Sequence, residues 1–189
     1  MDQSGILNHR IFYHPLLRRM IKSWKDGTSL LLISKYALDC VQYNASYSDV
    51  TWENCSLRKW LNGTFMNTAF SAEERAIIPI VTVSADKNPE YNTSPGNSTQ
   101  DQIFLLSIPE VNKYFTSETE RQCKPTGYAE TQGNVKSSNG NCWWWLRSPG
   151  NNSGVAAAVN IEGTILAHGT FVSNHFCTVR PALWINPIS

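Results

Sequence analysis

The residues best suited to chemistry in this chain gather toward its C-terminal end. Asn151, Asn152, Ser153, Asn160, His168, Thr170, Ser173, Asn174 and His175 fall between two aromatic markers, CWWWLRSPG at 142–150 and VRPALWI at 179–185. Asparagine donates and accepts through one amide, and serine, threonine and histidine also do both. Trp143 and Trp145 stand beside them, and tryptophan brings large rigid area at low entropy cost. The combination describes a polar-aromatic surface for an unidentified protein, peptide or glycan ligand, bound without being transformed. The competing reading is that Asn, Ser and Gly here only make turns.

Other chemistries fit the residues less well. Ser148 stands in Arg-Ser-Pro-Gly, not in a Gly-X-Ser-X-Gly elbow, so no serine nucleophile is expected. The five cysteines, Cys40, Cys55, Cys123, Cys142 and Cys177, are widely spaced and form no CxxC. That favours reduced, buried thiols over a zinc ribbon or a disulfide framework. Cys142, at the start of the tryptophan strand, and Cys177, just before the closing strand, are expected to come near each other across a sheet. His168 and His175 lack a further zinc ligand. Asp86, Glu90 and Asp101 lie in an oxygen-rich loop without EF-hand spacing. No catalytic residue, metal or cofactor is expected.

Composition narrows the class of partner. A chain of 189 residues is long enough for one domain with a core. Its net charge of +1 gives no electrostatic footprint for nucleic acid or an anionic membrane. No apolar run approaches the ~20 residues of a membrane helix. The first residues contain Asp2, Asn8, His9 and Arg10 and no apolar h-region, so a cytoplasmic location is expected. A surface or secreted location is the alternative if the chain is a fragment.

These residues need a scaffold, and its elements follow from pattern. Residues 1–18 form an N-terminal arm or surface helix. Residues 19–34 form a hairpin about Asp26-Gly27. Trp52, Leu57, Trp60 and Leu61 mark one helix face over 51–70, with a break at Asn62-Gly63. Ser71 with Glu74, and Ser107 with Glu110, are capping boxes that start two more helices. Ile80 to Val83 and Ile103 to Leu106 are short strands. The polar loop 84–102 is long enough to be mobile or functional. Residues 117–123 run irregularly or as a helical turn, 125–129 form a loop or short turn, and 131–141 are a linker. Alternation then puts Trp143 and Trp145 on one face and Trp144 with Leu146 on the other. A meander follows: strands at 155–160, 164–167, 170–172 and 178–185, with turns at Glu162-Gly163 and His168-Gly169. Helices followed by strands give an α+β domain spanning 1–189.

Two arginines sit inside apolar strand motifs, where an unpaired charge is costly. Arg147 and Arg180 are therefore expected to be structural, with Glu53 as candidate partner for one of them. Exposure of Arg147 to a ligand is the alternative. Trp143 is expected to be more exposed than Trp144, close to Asn151, Asn152, Asn174 or His175.

The motif pair WWLRSPG and VRPALW resembles a family of uncharacterised bacterial domains. The likeness extends through Leu31-Leu32-Ile33-Ser34-Lys35-Tyr36, Thr51-Trp52-Glu53-Asn54, Leu57 to Asn62 and Phe104-Leu105-Leu106-Ser107. That family is similar to the C-type-lectin-like fold, in the branch of formylglycine-generating enzymes and the variable proteins of diversity-generating retroelements. The resemblance implies a small twisted antiparallel sheet with flanking helices and long loops. It also implies a binding module whose C-terminal meander presents a ligand surface, diversified as in the retroelement proteins. A structural or interaction domain of a larger assembly is the second reading. A thiol-dependent enzyme of formylglycine-generating type is the third, although that enzyme's active-site pattern is not reproduced here.

Overall fold

A computed structural model describes residues 20–26, 29–133 and 138–186. The N-terminal arm and the turn at Gly27 lie outside the described residues. The strands are β1 (Met20–Asp26), β2 (Ser29–Ser34), β3 (Val81–Val83), β4 (Thr99–Asp101), β5 (Ile103–Phe104), β6 (Trp144–Pro149), β7 (Val155–Val159), β8 (Ile165–Phe171) and β9 (Ala182–Ile185). The helices are α1 (Ser56–Trp60), α2 (Met66–Ala69), α3 (Ala72–Ile77), α4 (Ile108–Tyr114), α5 (Glu118–Arg121) and α6 (Gly127–Thr131). The architecture is a mixed α/β one in which every pairing between strands is antiparallel. No helix among the described residues is long and apolar enough to cross a membrane.

Among the described residues the expected single sheet is instead three. One has the order β1-β2-β9-β5, a second pairs β3 with β4, and the third has the order β6-β7-β8. The run Leu31-Leu32-Ile33 is apolar at consecutive positions, so both faces of β2 must be covered. It lies between β1 and β9, and all three side chains are buried. The closing motif therefore does not extend the meander. Thr178 and Val179 make only isolated bridges, to Trp144 and Asp39. Pro181 lacks a ladder donor, and after it the chain joins the other sheet as β9. The two marker motifs thus tie the sheets together at Thr178.

Of the large apolar side chains in the sequence motifs, Trp52, Leu105, Trp144, Leu146, Val179 and Leu183 are buried, while Trp60 and Trp184 are half-buried. Both capping boxes form, at Ser71 with Glu74 and at Ser107 with Glu110. Within the expected loop or short turn at 125–129, residues 127–129 begin the short helix α6, capped by the Thr126 hydroxyl accepting from the Ala129 N–H.

Two expected breaks are continuous. Asn62-Gly63 does not end a helix; a π-helical turn, Leu61–Phe65, joins α1 to α2. The Asn62 amide explains the widening. Its Oδ1 accepts from the backbone N–H of Gln102 and Ile103, and its Nδ2 donates to the carbonyls of Arg58 and Ile103. The helix is bent onto β5 by these bonds. His168-Gly169 is no turn either, but an irregularity inside β8. Register shifts opposite it, between Ala156 and Ala158. Gly169 has φ +83, and a Cβ there would lie 2.8 Å from the Ala156 carbonyl oxygen, so this bulge requires glycine.

The loop 84–102 is clamped rather than loose. Asn88 is buried and donates to the carbonyls of Pro149 and Ala167. Asp86 pairs with Arg147, and Asn97 donates to the Glu53 carboxylate.

Candidate functional site

The β6-β7-β8 sheet is the platform. All of β6 is buried, and β7 is Val-Ala-Ala-Ala-Val, also buried throughout. Small side chains on β7 leave room for the tryptophans of its neighbour. Trp144 packs against Phe115 with ring centroids 6.3 Å apart, and its indole N–H donates to the Arg121 carbonyl. Trp145 meets Tyr43 edge-on at 5.6 Å and donates to the Val41 carbonyl. Trp145 is fully buried and so is core, not part of a ligand surface. Alternation does place it opposite Trp144, but here the second face of β6 is covered as well, by the segment around Val41 and Tyr43.

Loops are sewn onto one end of this platform. The Asn151 N–H donates to the His168 carbonyl, and the Val172 N–H to that of Gly154. The segment 44–50 is attached through Asn44 N–H to the Val172 carbonyl and Val50 N–H to that of Ser153. Gly154 lies under the Tyr47 ring; a Cβ there would come within 2.9 Å of the phenol oxygen. Tyr47 meets Phe171 edge-to-face, with centroids 5.5 Å apart and planes at 80°. Both rings remain open to solvent, at 63% and 58% exposure. Large apolar side chains this exposed are uncommon in a domain whose other aromatics are mostly covered.

Much of the expected polar group lies on the turns and strand ends bonded to the segments that carry that pair. Asn151 and Asn152 are exposed, and the Ser153 hydroxyl donates to Asp49 at 2.6 Å. Asn174 Nδ2 donates to Thr170 Oγ1 at 2.6 Å, and the Ser173 carbonyl accepts from Gln42. Asn152 also shapes the turn, since its Oδ1 accepts from the Gly154 N–H. Sequence reasoning passed over Tyr47, Asp49 and Phe171. The available signal was a lone aromatic in the polar run 44–49.

The remaining expected residues lie elsewhere. Asn160 closes the opposite end of the β7–β8 hairpin, where its Oδ1 accepts from Glu162 and Thr164 N–H. His168 is exposed on β8. His175 is exposed beside Gln42. Trp143 is half-buried, as expected more exposed than Trp144, and meets Phe176 edge-on at 5.4 Å. It precedes β6, whereas Asn151 and Asn152 follow that strand, so Trp143 stands with the His175 side and apart from the Tyr47–Phe171 pair.

Both arginines are buried and bonded. Arg147 pairs with Asp86 at 2.8 Å and with Glu110, and donates to the carbonyls of Ser84 and Leu105. Arg180 donates to the carbonyls of Ser34 and Arg121, and its guanidinium lies 4.9 Å from the Trp144 ring and 5.4 Å from Phe115. Glu53 is a partner of neither; its carboxylate accepts from Asn97.

Metal and thiol chemistry can be judged from the same geometry. Asp86 and Asp101 hold separate arginines, Arg147 and Arg58, and no group of three metal-ligating side chains occurs among the described residues. Cys55, Cys123, Cys142 and Cys177 are buried, and Cys40 is half-buried. Burial, then the nearby Asp39 charge, pushes the Cys40 thiol up to about 11. Burial pushes Cys55 up to about 12 and raises Cys177 well above the usual thiol range. Cys142 hydrogen-bonds toward Cys123 and is raised by that bond and by burial. Burial opposes ionisation of Cys123 too, but the bond from Cys142 and the Arg180 charge bring it lower. At about pH 8 a thiol reagent is expected to modify Cys40 slowly, and the other four only after unfolding. Fast modification of Cys142 or Cys177 in the folded protein would contradict this placement.

The fold and its exposed end define a small mixed α/β domain with a rigid sheet and a surface of loops. Residues 27–187 match the family described as Domain of unknown function (DUF6273), and the chain belongs to that family. No curated protein and no solved structure matches the chain.

Proposed function

We propose that this domain is a non-catalytic recognition module of C-type-lectin-like type. Its ligand surface is the end of the β6-β7-β8 sheet that carries Tyr47 and Phe171. The observation behind this reading is the exposed edge-to-face pair of rings, with Gly154 directly below Tyr47 and the exposed Asn151 and Asn152 on the turn that leads to Gly154. Aromatic anchors with asparagine and serine around them suit protein, peptide and glycan ligands alike. The scaffold beneath is preorganised, so binding orders little of the chain. In the diversified version of this reading, copies of the domain differ at these exposed positions and keep Trp144, Arg147 and Arg180. A fixed interaction domain would keep Tyr47, Phe171 and their neighbours unchanged as well.

The test is a panel of peptides and oligosaccharides titrated against the full chain, followed through the ring resonances of Tyr47 and Phe171. Replacing both rings with alanine is expected to weaken a bound ligand by about 2 kcal/mol or more, as at a hot spot. Stability should change by no more than about 0.5 kcal/mol, because both rings are exposed. Ligands whose binding ignores the double substitution would place the surface elsewhere and defeat the proposal.

A further inference from the structure

A broad concavity among the described residues is lined by none of the residues of the Tyr47–Phe171 surface. It is a cavity of about 830 Å³ between the segment 36–39, the π-helical turn and the start of α6. Tyr36, Trp60, Phe65 and Tyr128 line it, and Asp39 is the carboxylate at its wall.

The π-helical turn builds the aromatic wall. In an α-helix, residues five apart project about 140° from one another around the axis. A π-helix closes i→i+5, which brings such residues together, and turns of this kind recur at functional sites. Trp60 and Phe65 accordingly meet with ring centroids 5.0 Å apart. Asn62 holds that geometry through its bonds to β5. Across the cavity Tyr128 is 60% exposed, an unusual state for a ring beside three others.

Asp39 gives the cavity its sign. One oxygen accepts from the Cys40 N–H at 2.7 Å, and no cation among the described residues pairs with the carboxylate. Half-burial raises its pKa, partly offset by that hydrogen bond. A carboxylate partly stripped of water and left without a counter-ion gains from an incoming positive charge. Electron-rich ring faces attract the same charge.

We propose that this groove takes one lysine or arginine side chain of an extended peptide, the cation meeting Asp39 and its stem lying among Tyr36, Trp60, Phe65 and Tyr128. A free ammonium ion would leave most of the volume empty, because cavities of roughly 300–1,000 Å³ hold ligands of drug size. The neighbouring surface limits the peptide further. Tyr36 also lines a second hollow, whose wall carries Lys35, Lys124 and the buried Arg180 against one carboxylate, Glu120, and so is net positive. A polybasic segment would meet repulsion there, so the recognised residue is a single cation with a neutral or acidic neighbour on that side.

The experiment titrates the full chain with four blocked pentapeptides, Lys, Arg or norleucine at the centre of alanines and an all-lysine control. Readouts are the Trp60 indole and Tyr128 ring resonances. The Lys and Arg peptides are expected to bind about tenfold more tightly than the norleucine peptide. The all-lysine peptide should gain nothing over the single-lysine one. Asp39→Asn keeps the acceptor for the Cys40 N–H and should erase the preference for charge. Tyr128→Ala, at an exposed position, should weaken the Lys and Arg peptides without loss of fold. Equal binding of the norleucine peptide, stronger binding of the all-lysine peptide, or no shift of either resonance at millimolar peptide would each overturn the proposal. None of these results bears on the Tyr47–Phe171 surface, whose rings are read separately.

Discussion

Replacing Arg147 with methionine is expected to lower the stability of the domain by about 3–5 kcal/mol, the usual cost of removing one side of a buried ion pair. The arginine side chain is only 3% exposed and its two carboxylate partners are about a quarter exposed, at 28% and 26%. Methionine fills similar volume but leaves Asp86 and Glu110 side by side without their cation. It also strips the donors from the Ser84 and Leu105 carbonyls. The damage spreads to α4, because Asp86 and Glu110 also hold its N-cap. The Ser107 hydroxyl donates to Asp86, and the Ser107 N–H donates to Glu110. Lysine at 147 should recover only part of the loss, since one ammonium cannot reproduce a fork with bonds in several directions. Urea unfolding would measure this as a fall in midpoint with little change of slope. A loss of under about 1 kcal/mol would show that the network is ornamental to stability.

That network marks the boundary of what the sequence disclosed. A charge inside WWLRSPG was legible as buried and structural, because an apolar strand offers a bare guanidinium no water. Its partners were not legible. Glu110 was visible as the capping-box residue of α4, a local signal three residues from Ser107. Nothing in the chain indicated that its carboxylate would also face a strand 37 residues onward. Glu53 stood beside a tryptophan in the Trp-Glu-Asn motif, yet pairing depends on which loop crosses the sheet, and loop 84–102 brings Asp86 there instead. The same limit applies to the helix over 51–70. Its apolar stripe was readable, but its widening depends on Asn62 finding the backbone of β5, 41 residues away. Asn-Gly read locally means a break; read with its tertiary partners it means a π-helical turn.

The candidate surfaces divide along the same line. Asn151, Asn152, Ser153, Thr170 and Asn174 were legible as a group because they share the turns and strand ends of one hairpin region. Of the two tryptophans expected beside them, Trp143 is half-buried and Trp145 is core. Trp145 is covered by the 41–43 segment, which no periodicity in β6 could reveal. Tyr47 and Phe171 meet only because Gly154 lets one ring lie across the chain and a glycine bulge keeps β8 running to Phe171. The groove at Asp39 was not legible at all. Its walls come from residues 36–39, 60–69 and 125–128, and only the folded chain juxtaposes them.

Trp144→Ala is expected to cost about 3–5 kcal/mol, and Trp143→Ala only about 1 kcal/mol, although the two residues are neighbours and chemically identical. Trp144 has no exposed surface, so its removal leaves a cavity that surrounding strands cannot close. The indole also supports other groups. Arg180 lies over its face at 4.9 Å and makes no ion pair among the described residues, so the rings of Trp144 and Phe115 are much of what replaces water around that charge. Losing the indole exposes a partly satisfied guanidinium to a void, which adds an electrostatic cost to the packing one. The Arg121 carbonyl loses one of its two donors as well, keeping only Arg180. Trp143 has a softer environment. It is half-buried, packs edge-on against Phe176, and its backbone carbonyl, which accepts from Thr178, survives the substitution. Phenylalanine at 144 separates the two contributions: it restores most of the packing but not the indole N–H, and should recover more than half of the loss. Thermal unfolding of the four proteins decides it. Equal destabilisation by the two alanine substitutions would mean that the tryptophan run acts as a single core block and that the division between its buried and open members is wrong.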